Sequence, residues 1–328
     1  MKIHAFPGVC LGLAALSASA CAVDAHGRRA EAMFDHTFSV SGPVDLEVLT
    51  GSGDILIRTG AAGTVQVHGR VRAGWDLWSR LNTEDRVREV AADPPLEQSG
   101  NAIRLGPRGV WGAGGVSISY EVTVPADARV RARTGSGDQI VGGVQGGIDS
   151  SAGSGDIRID GTRGDVRVST GSGDIEVEAS DGSVTARAGS GSIRATDVRG
   201  NVSARTGSGR VTVTHAAQGS TEVATGSGDI AVSGARGALR LHAGSGDVTV
   251  DGEPAGSWNV GASSGSVTVH VPPTAGFDLV AHSSSGGIQS DHPITSVGSL
   301  SRHELRGQVR GGGPNVDINT SSGSIRIR

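Results

Sequence analysis

The sequence predicts an all-β fold, namely a β-solenoid (a single-stranded β-helix) with coils of about 18 residues. Three observations support this prediction. Val, Ile and Ala alternate with polar residues over most of the chain, as in strands with one buried face. Aromatic residues make up only 3% of the chain, which suits a thin aliphatic core. A phrase of the type TGSGDIEV recurs, and its copies begin at Thr134, Ala152, Thr170, Ala188, Thr206, Thr225 and Ala243.

The repeat defines a coil with two strands separated by a Gly-Ser-Gly corner. Successive copies lie 18, 18, 18, 18, 19 and 18 residues apart. Burying a small apolar side chain gives about 1 to 3 kcal/mol, whereas fixing each backbone residue costs about 1 to 2 kcal/mol. A single coil is therefore unstable, and stability must come from stacking coils about 4.8 Å apart. The pattern does not assign the handedness of the winding, although a right-handed sense is favoured.

The first 20 residues have the pattern of an export signal, with a basic start, a short apolar run and small residues after it. Ala18-Ser19-Ala20 before Cys21 resembles a bacterial lipobox, with Ala18 where Leu is usual. Cys21 is the predicted lipid attachment site of a membrane-anchored lipoprotein. Cleavage after Ala20 or Ala22 would instead leave a soluble product, and the sequence leaves both possibilities open.

The mature chain is expected to have a polar tether at 21–36 and a single solenoid domain at 37–328. Within this domain, the pattern separates an irregular section (60–128), regular coils (129–290) and looser C-terminal coils (291–328). A short helix is predicted over 82–92, because Thr83 is a suitable N-cap and Pro94 and Pro95 end the pattern.

The two ends of the solenoid need protection, because an open end exposes core and an unpaired strand edge. We expect Trp75, Trp78 and Trp111 to cap the N-terminal end, with a ligand platform as the alternative. The final strand, 325–328, is predicted to be the exposed C-terminal edge.

Three features together resemble a known family. TGSGDILI stands early, at Thr50; an interruption follows and ends in VSISYEVTV before Pro125; serial S-G-D-[IV] coils come next. In this arrangement, residues 38–328 resemble the bacterial putative-adhesin family of β-strand-repeat proteins. That family is a domain family of unknown function, expected to form β-solenoids. The resemblance implies the architecture and carries no catalytic residues to this chain.

Composition restricts the chemistry. The formal net charge is -4, so no global positive field favours nucleic acid. Both cysteines, Cys10 and Cys21, lie near the N-terminus, which leaves the body without a thiolate metal site. The histidines show no metal-ligand spacing such as H-E-x-x-H, and the regular coils have no loop long enough for a catalytic cleft. We therefore expect no enzyme activity, no cofactor and no metal.

The corner aspartates should stack along one edge of the solenoid. Calcium-binding repeats place their aspartate differently, as G-G-x-G-x-D, and Ser192, Arg210 and Ser266 interrupt the row. Turn capping through hydrogen bonds to backbone N–H groups is the favoured interpretation. The corner aspartates are Asp138, Asp156, Asp174, Asp229 and Asp247.

Outward arginines on the leading strands form a further candidate binding face. Arginine pairs well with phosphate and carboxylate groups, so this face could bind an anionic polymer such as an acidic glycan or lipopolysaccharide. The alternative is a solvated face whose charge is balanced by neighbouring acids. The candidate residues are Arg131, Arg133, Arg167, Arg187, Arg205 and Arg240.

The sequence thus predicts an exported protein of the cell envelope with a structural, adhesin-like or binding role. The alternative is a soluble periplasmic or secreted scaffold that binds an anionic polymer through the arginines. The expected partner of the protein is an envelope polymer or a surface protein. For the anchored form, contact with the membrane is expected only through the N-terminal lipid. Ice binding is not expected, because the recurrent threonines share the inward parity of the valines.

Overall fold

The computed structural model describes residues 30–73, 83–107, 115–296 and 301–328. The architecture is a β-solenoid, as predicted. Each coil places its leading strand in one sheet and its following strand in another, and the coils stack so that both sheets run along the molecule. We call the sheet of following strands the first sheet and the sheet of leading strands the second sheet.

The N-terminal section contains one helix between its strands. The helix α1 occupies Thr83–Ala92, which confirms the predicted position, and Val87 on it is buried. The elements are β1 (Glu31–Ser39), β2 (Asp45–Thr50), β3 (Ile55–Thr59), β4 (Thr64–Ala73), α1 (Thr83–Ala92), β5 (Leu96–Ser99), β6 (Ala102–Leu105) and β7 (Val116–Val124).

Strand β1 begins earlier than the sequence pattern indicates. It covers Glu31–Ser39, so its first six residues fall in the segment 21–36 for which a tether is predicted. Ala32, Phe34 and Phe38 are buried on its inner side, and the strand pairs antiparallel with β4. The folded body therefore starts at least six residues before position 37, and only residues 21–29, outside the described part, are left for a tether.

The regular coils follow in strict alternation between the two sheets. Their leading strands are β8 (Arg129–Thr134), β10 (Ile148–Ser154), β12 (Val166–Ser172), β14 (Val184–Ser190), β16 (Val202–Ser208), β18 (Thr221–Ser227), β20 (Leu239–Ser245) and β22 (Trp258–Ser264). Their following strands are β9 (Gln139–Gly142), β11 (Ile157–Thr162), β13 (Ile175–Ser180), β15 (Ile193–Val198), β17 (Val211–His215), β19 (Ile230–Ala235), β21 (Val248–Gly252) and β23 (Val267–His270). All pairs between successive coils are parallel, and most keep the register of the repeat throughout. The register shifts near the ends of the pairs β15–β17 and β19–β21.

The core lies between the two sheets and consists mainly of small aliphatic side chains. In a typical coil, Val166 and Val168 of the second sheet and Ile175 and Val177 of the first sheet are buried, with Thr170 beside the corner. The outward positions between them are exposed or half-buried. This confirms the predicted inward parity, including that of the recurrent threonines.

The order of coils in space departs from the order in sequence at both ends. At the N-terminal end, β6 pairs with β2 and β7 pairs with β3. The coil formed by β2 and β3 therefore lies between this later coil and the coil of β8 and β9. The strands β2 and β3, which come first in sequence, therefore form the second coil in space, and the later strands β6 and β7 form the outermost coil.

The C-terminal end repeats this reversal. Its strands are β24 (Phe277–Ser283), β25 (Ile288–Ser290), β26 (Ile294–Ser296), β27 (Glu304–Val309), β28 (Asn315–Thr320) and β29 (Ile325–Ile327). Strand β28 pairs with both β22 and β24, and β29 pairs with both β23 and β25.

The prediction that the last strand is an exposed edge is therefore wrong. The chain leaves β23, forms the outermost coil from β24 and β25, and returns through 291–314 to insert its final coil inside. Sequence order suggested a terminal position, but the excursion through 291–314 lets the final coil bury both of its strand edges.

Antiparallel strands close the ends of the sheets. Strands β4 and β1 extend the first sheet beyond β7, and β5 extends the second sheet beyond β6. Helix α1 packs against β1, β4 and β7. At the other end, β27 and β26 extend the second sheet beyond β24. Trp75, Trp78 and Trp111, predicted to cap the N-terminal end, lie outside the described residues.

Candidate functional site

The Gly-Ser-Gly corners are shaped by close contact between coils. A Cβ atom built on Gly173 would lie 2.1 Å from the carbonyl oxygen of Gly155, and one built on Gly155 would lie 2.0 Å from that of Gly137. Real Cβ atoms do not approach a backbone oxygen so closely. The second glycine of each corner is therefore required by stacking, and this requirement explains why the phrase repeats.

The corner aspartates form a hydrogen-bonded ladder between coils. The Oδ1 atom of Asp138 accepts from the backbone N–H of Asp156 at 2.9 Å, and Oδ1 of Asp156 accepts from that of Asp174 at 2.8 Å. Asp174 and Asp247 accept in the same way from Ser192 and Ser266. The capping interpretation fits these contacts, except that each aspartate caps the next coil's turn and not its own.

Arg210 interrupts this ladder and forms an ion pair in it. Its guanidinium lies 2.9 Å from Oδ2 of Asp229. The hydrogen bond from Arg210, and after it the backbone N–H of Asp247, hold the pKa of Asp229 below its usual range. Within the described residues, no group of three or more His, Cys, Asp or Glu side chains is arranged to hold a metal ion.

Inward threonines form a second ladder. The hydroxyl of Thr170 donates to the carbonyl of Gly155 at 3.0 Å, and the hydroxyl of Thr206 donates to that of Gly191 at 2.9 Å. Three residue types of the repeat thus have distinct structural roles. The threonine donates a hydrogen bond to the preceding corner, the second glycine allows close stacking, and the aspartate accepts a hydrogen bond from the following corner. The corner is structural rather than a ligand loop.

Gln139 is a buried polar residue that sequence reasoning missed. It takes the position that Ile157 holds in the next coil, and its side chain bonds the carbonyl oxygen of Ser151 and the hydroxyl of Ser150, both at 2.6 Å. Ile140 next to it is 46% exposed. The available signal was the phrase TGSGDQIV, in which Gln stands where the other coils have Ile or Val.

His215 is a buried histidine at the end of β17. It lies in a coil of 19 residues, and its Nε2 atom is 2.5 Å from the hydroxyl of Thr221. Burial lowers the pKa of His215. No carboxylate of the described residues pairs with this imidazole, so we interpret His215 as part of the core.

The candidate arginines all lie on the outer face of the second sheet, but in two separate columns. The parallel register places Arg131, Arg167 and Arg240 in one column. Arg133, Arg187 and Arg205 lie two residues further along their strands, in the other column. Arg187 and Arg205 are direct neighbours across β14 and β16, whereas the rest are separated by other residues.

Acidic neighbours balance part of this charge. Arg131 lies 3.9 Å from a carboxylate oxygen of Asp149, and Arg205 lies 2.5 Å from one of Glu222. Arg104 and Glu47 form a further pair in the first column, at 3.8 Å. In the described part of the chain, the other four candidates, Arg133, Arg167, Arg187 and Arg240, form no ion pair.

A groove follows the outer face of the second sheet. Its N-terminal stretch has a volume of about 1080 Å³ and crosses β5, β6, β2, β8, β10 and β12. Its C-terminal stretch has a volume of about 500 Å³ and crosses β14, β16, β18, β20, β22 and β28. Because β12 pairs directly with β14, the two stretches lie end to end on the same face, and together we call them the second-sheet groove.

The walls of this groove are the outward residues on either side of one buried column. Asp165, Ser183 and Asn201 belong to one wall, and Arg167, Thr185 and Ser203 belong to the other. The eleven strands from β6 to β28 are spaced by about 4.8 Å, which gives the track a length of about 48 Å. It is an open surface channel and not an enclosed catalytic pocket.

A family model described as Toastrack DUF4097 matches residues 160–328, just over half of the chain. The chain belongs to the Toastrack DUF4097 family. This membership confirms the sequence-based resemblance to a family of β-strand repeats of unknown function.

Two solved structures are similar to this Toastrack chain over most of its length. One is a putative cell adhesion protein from Clostridium sporogenes ATCC 15579, with 10% identity, 92% of this chain and 99% of that chain covered, and a TM-score of 0.23. The other is a putative adhesin from Bacteroides fragilis NCTC 9343, with 10% identity, coverage of 90% and 97%, and a TM-score of 0.29. Identities and TM-scores this low give no basis for an argument about function. No curated protein matches the chain.

The matched Toastrack segment begins inside the solenoid, in β11. Coils before residue 160 have the same construction as those after it, because Ile157 pairs in register with Ile175 and Gly155 meets Gly137 as Gly173 meets Gly155. The second-sheet groove also crosses this boundary without a break. Among the described residues, no helix has both the length and the apolar character needed to cross a membrane.

Proposed function

We propose that this Toastrack protein is a non-catalytic component of the bacterial cell envelope with an adhesin-like or structural binding role. The observation that supports it most directly is the pair of long stacked sheets. The threonines, glycines and aspartates of the corners are engaged in contacts between coils, so the outer faces remain as the available surfaces. The N-terminal export pattern supports a location outside the cytoplasm.

The proposed attachment is a lipid on Cys21, followed by a tether that ends before Glu31. Membrane fractions of cells producing the wild-type chain should contain the protein, whereas Cys21→Ala should shift it to the soluble periplasmic or secreted fraction. If both forms are soluble, the lipoprotein proposal fails and the soluble form of the same envelope protein stands.

The binding role has its own test. Cells that lack the protein should attach less well to a surface or to one another, and the wild-type chain should restore attachment. Equal attachment with and without the protein, at verified envelope levels, would remove the adhesin-like role and leave a structural one.

A second candidate is binding of an anionic polymer, such as an acidic glycan or lipopolysaccharide, through the arginine columns. It is supported by the adjacent Arg187 and Arg205 and by the candidates without an ion pair. Arg187→Ala combined with Arg205→Ala should abolish retention on immobilised lipopolysaccharide. Arg158, which pairs with Glu176 and Glu178 on the first sheet, gives the control Arg158→Ala. Unchanged retention of the double variant would contradict this candidate.

A further inference from the structure

The lining of the second-sheet groove changes along its length. Across β6 to β12 it carries many charges of both signs, and across β14 and β16 it carries none. Ser183, Thr185, Asn201 and Ser203 form this uncharged part, which we call the neutral segment.

The net charge of the groove does not favour a polyanion. Its lining contains seven carboxylates and five guanidinium groups. The acids are Asp45, Glu47, Glu97, Asp149, Asp165, Glu222 and Asp317, and the bases are Arg104, Arg129, Arg131, Arg167 and Arg240. A polyanion in the groove would meet more like charges than opposite ones, and like charges placed close together raise the free energy of binding.

The hydroxyl and amide groups of the groove are available for a ligand. Ser183, Thr185 and Ser203 are half-buried, and within the described residues their hydroxyls make no hydrogen bond. Ser257 and Asn259 are exposed, and within the described residues the hydroxyl of Ser257 and the amide of Asn259 also make no hydrogen bond. Asn201 differs, because its Oδ1 already accepts from the backbone and hydroxyl of Ser220 at 2.9 Å. Such groups both donate and accept, which suits a polyhydroxylated ligand.

The first sheet has a groove of about 560 Å³ at the same height, but charged residues line it. Its lining includes Arg210, which pairs with Asp229 at 2.9 Å. A ligand in that groove would meet this ion pair, whereas the neutral segment contains no charged side chain. The second-sheet groove is therefore the better site for an uncharged ligand.

We propose that the second-sheet groove binds a neutral, linear polysaccharide that lies along the solenoid axis across successive coils. The inference rests on the proposed binding role and assigns it a ligand class and a site. Hydroxyl and amide groups line the groove on the neighbouring strands β14 and β16 and again on β22. Strands about 4.8 Å apart that carry such groups suit a ligand that is itself a chain of hydroxylated units. Each sugar meets only a few hydrogen-bonding groups, and each neutral hydrogen bond contributes little net free energy in water. Binding must therefore strengthen with oligosaccharide length.

The test uses the full chain with cellobiose, cellotetraose and cellohexaose, alongside a panel of neutral xylan, mannan and chitin fragments, and polygalacturonate as the anionic arm. Isothermal titration should show affinity that rises with length for at least one neutral series and weaker binding of polygalacturonate. Ser203→Trp should lower the affinity for the bound series by about tenfold or more, because the indole would block the neutral segment.

Thr212→Trp is the matched control. Thr212 is half-buried on the outer face of β17, in the first sheet and in the same coil as Ser203. This variant should keep the affinity within about twofold of wild type. Thermal unfolding of both variants checks folding. If Ser203→Trp is unfolded, Ser203→Ala with Asn259→Ala provides a milder version of the same test, expected to weaken binding severalfold.

Three results would overturn the groove proposal: no neutral series binds, polygalacturonate binds best, or affinity is unchanged both in Ser203→Trp and in the double variant Ser203→Ala with Asn259→Ala. None of these touches the proposed envelope role, which is tested by fractionation and attachment in cells. Conversely, a protein found in the cytoplasm would contradict the envelope role even if purified chain bound glucan.

Discussion

At the scale of single residues, the repeat is determined by steric exclusion at the corners. The stacked corners leave no room for a Cβ atom at the second glycine, and this steric rule is stricter than any preference for polar or apolar character. The repeat identifies the glycines as corner residues, whose backbone freedom suits a turn. The structure supports this at Gly191, Gly209, Gly228 and Gly246, whose φ angles are 159°, 153°, 152° and 152°. It adds a second cause, the approach of one corner to the carbonyl of its neighbour.

The first corner provides a matched pair of glycines to test this rule. A Cβ on Gly53 would lie 2.0 Å from the carbonyl oxygen of Ile118, whereas one on Gly51 would meet nothing within 4 Å. Gly53→Ala should lower the free energy of unfolding by about 1 to 3 kcal/mol or more, and Gly51→Ala should change it by less than about 0.5 kcal/mol. Urea unfolding of the two variants measures both. Equal effects would show that stacking does not select the second glycine.

His215 predicts a pH dependence of stability. Burial lowers its pKa in the folded state below the ordinary value of 6.5, so below that value the unfolded chain binds more protons than the folded one. Stability conferred by the neutral imidazole is therefore full above about pH 6.5 and is lost as the pH falls toward the lowered folded pKa.

The measurement is the urea midpoint of wild type and His215→Gln near neutral pH and near pH 5. Wild type should lose more stability on acidification than the glutamine variant, which has no imidazole to protonate. His36, whose pKa is also lowered by burial, is present in both proteins and so does not affect the difference. An identical loss in both proteins would exclude His215 as the source.

At the scale of secondary-structure elements, coils are joined by side-chain ladders as well as by the backbone. The aspartate ladder runs along one corner, and Asp165 and Asn201 continue the same chemistry at the opposite corner, where they accept from Ser183 and Ser220. In these ladders each coil uses only one carboxylate or amide oxygen as the acceptor. The position of that oxygen is therefore more important for the stability of the stack than the charge of the side chain.

Asp156 separates charge from geometry. Asp156→Asn keeps an Oδ1 acceptor for the N–H of Asp174 and removes repulsion from neighbouring aspartates, so stability should stay within about 0.5 kcal/mol of wild type. Asp156→Ala removes the acceptor and should cost about 1 kcal/mol. Both are read from thermal unfolding. If Asn were as harmful as Ala, the carboxylate charge would be necessary, and the case for a bound cation would reopen.

At the scale of the whole molecule, the sequence predicted the repeated part better than its ends. The 18-residue period and the inward-outward alternation of side chains were enough to predict the regular coils, because each of these coils contacts only neighbours of the same kind. They could not reveal that β28 and β29 insert inside the outermost coil, since that pairing depends on a return through 291–314 with no repeat signal. The start of β1 was missed because its alternating Ala32, Phe34 and Phe38 belong to no recognised phrase.

The candidate site was predicted only in part. The arginines do face outward on one sheet, as parity requires, but the two columns and the acids between them depend on the register between distant coils. The groove was not foreseen at all. Its lining residues, such as Ser183 and Ser203, are ordinary in sequence and form a track only when eleven strands are aligned.

Hydrogen exchange tests the inserted final coil. Amides of β28 and β29 should exchange as slowly as those of β22 and β23, although they lie within the last 14 residues, because both strands are paired on two sides. The short strand β25, paired on one side only, should exchange faster. Rapid exchange throughout 315–328 would contradict the inserted position.

The reversal of coil order at both ends restricts how such a molecule can be built and lengthened. A chain that emerges N-terminus first during synthesis can stack its middle coils as they appear, but the C-terminal end cannot close until β28 and β29 are available. The outermost coil, β24 and β25, gains its parallel partners only when the final coil, β28 and β29, is in place. New repeats can therefore be accommodated in the middle of the array and not at its tips, so that duplication of 18-residue units would extend the groove while both closures stayed intact.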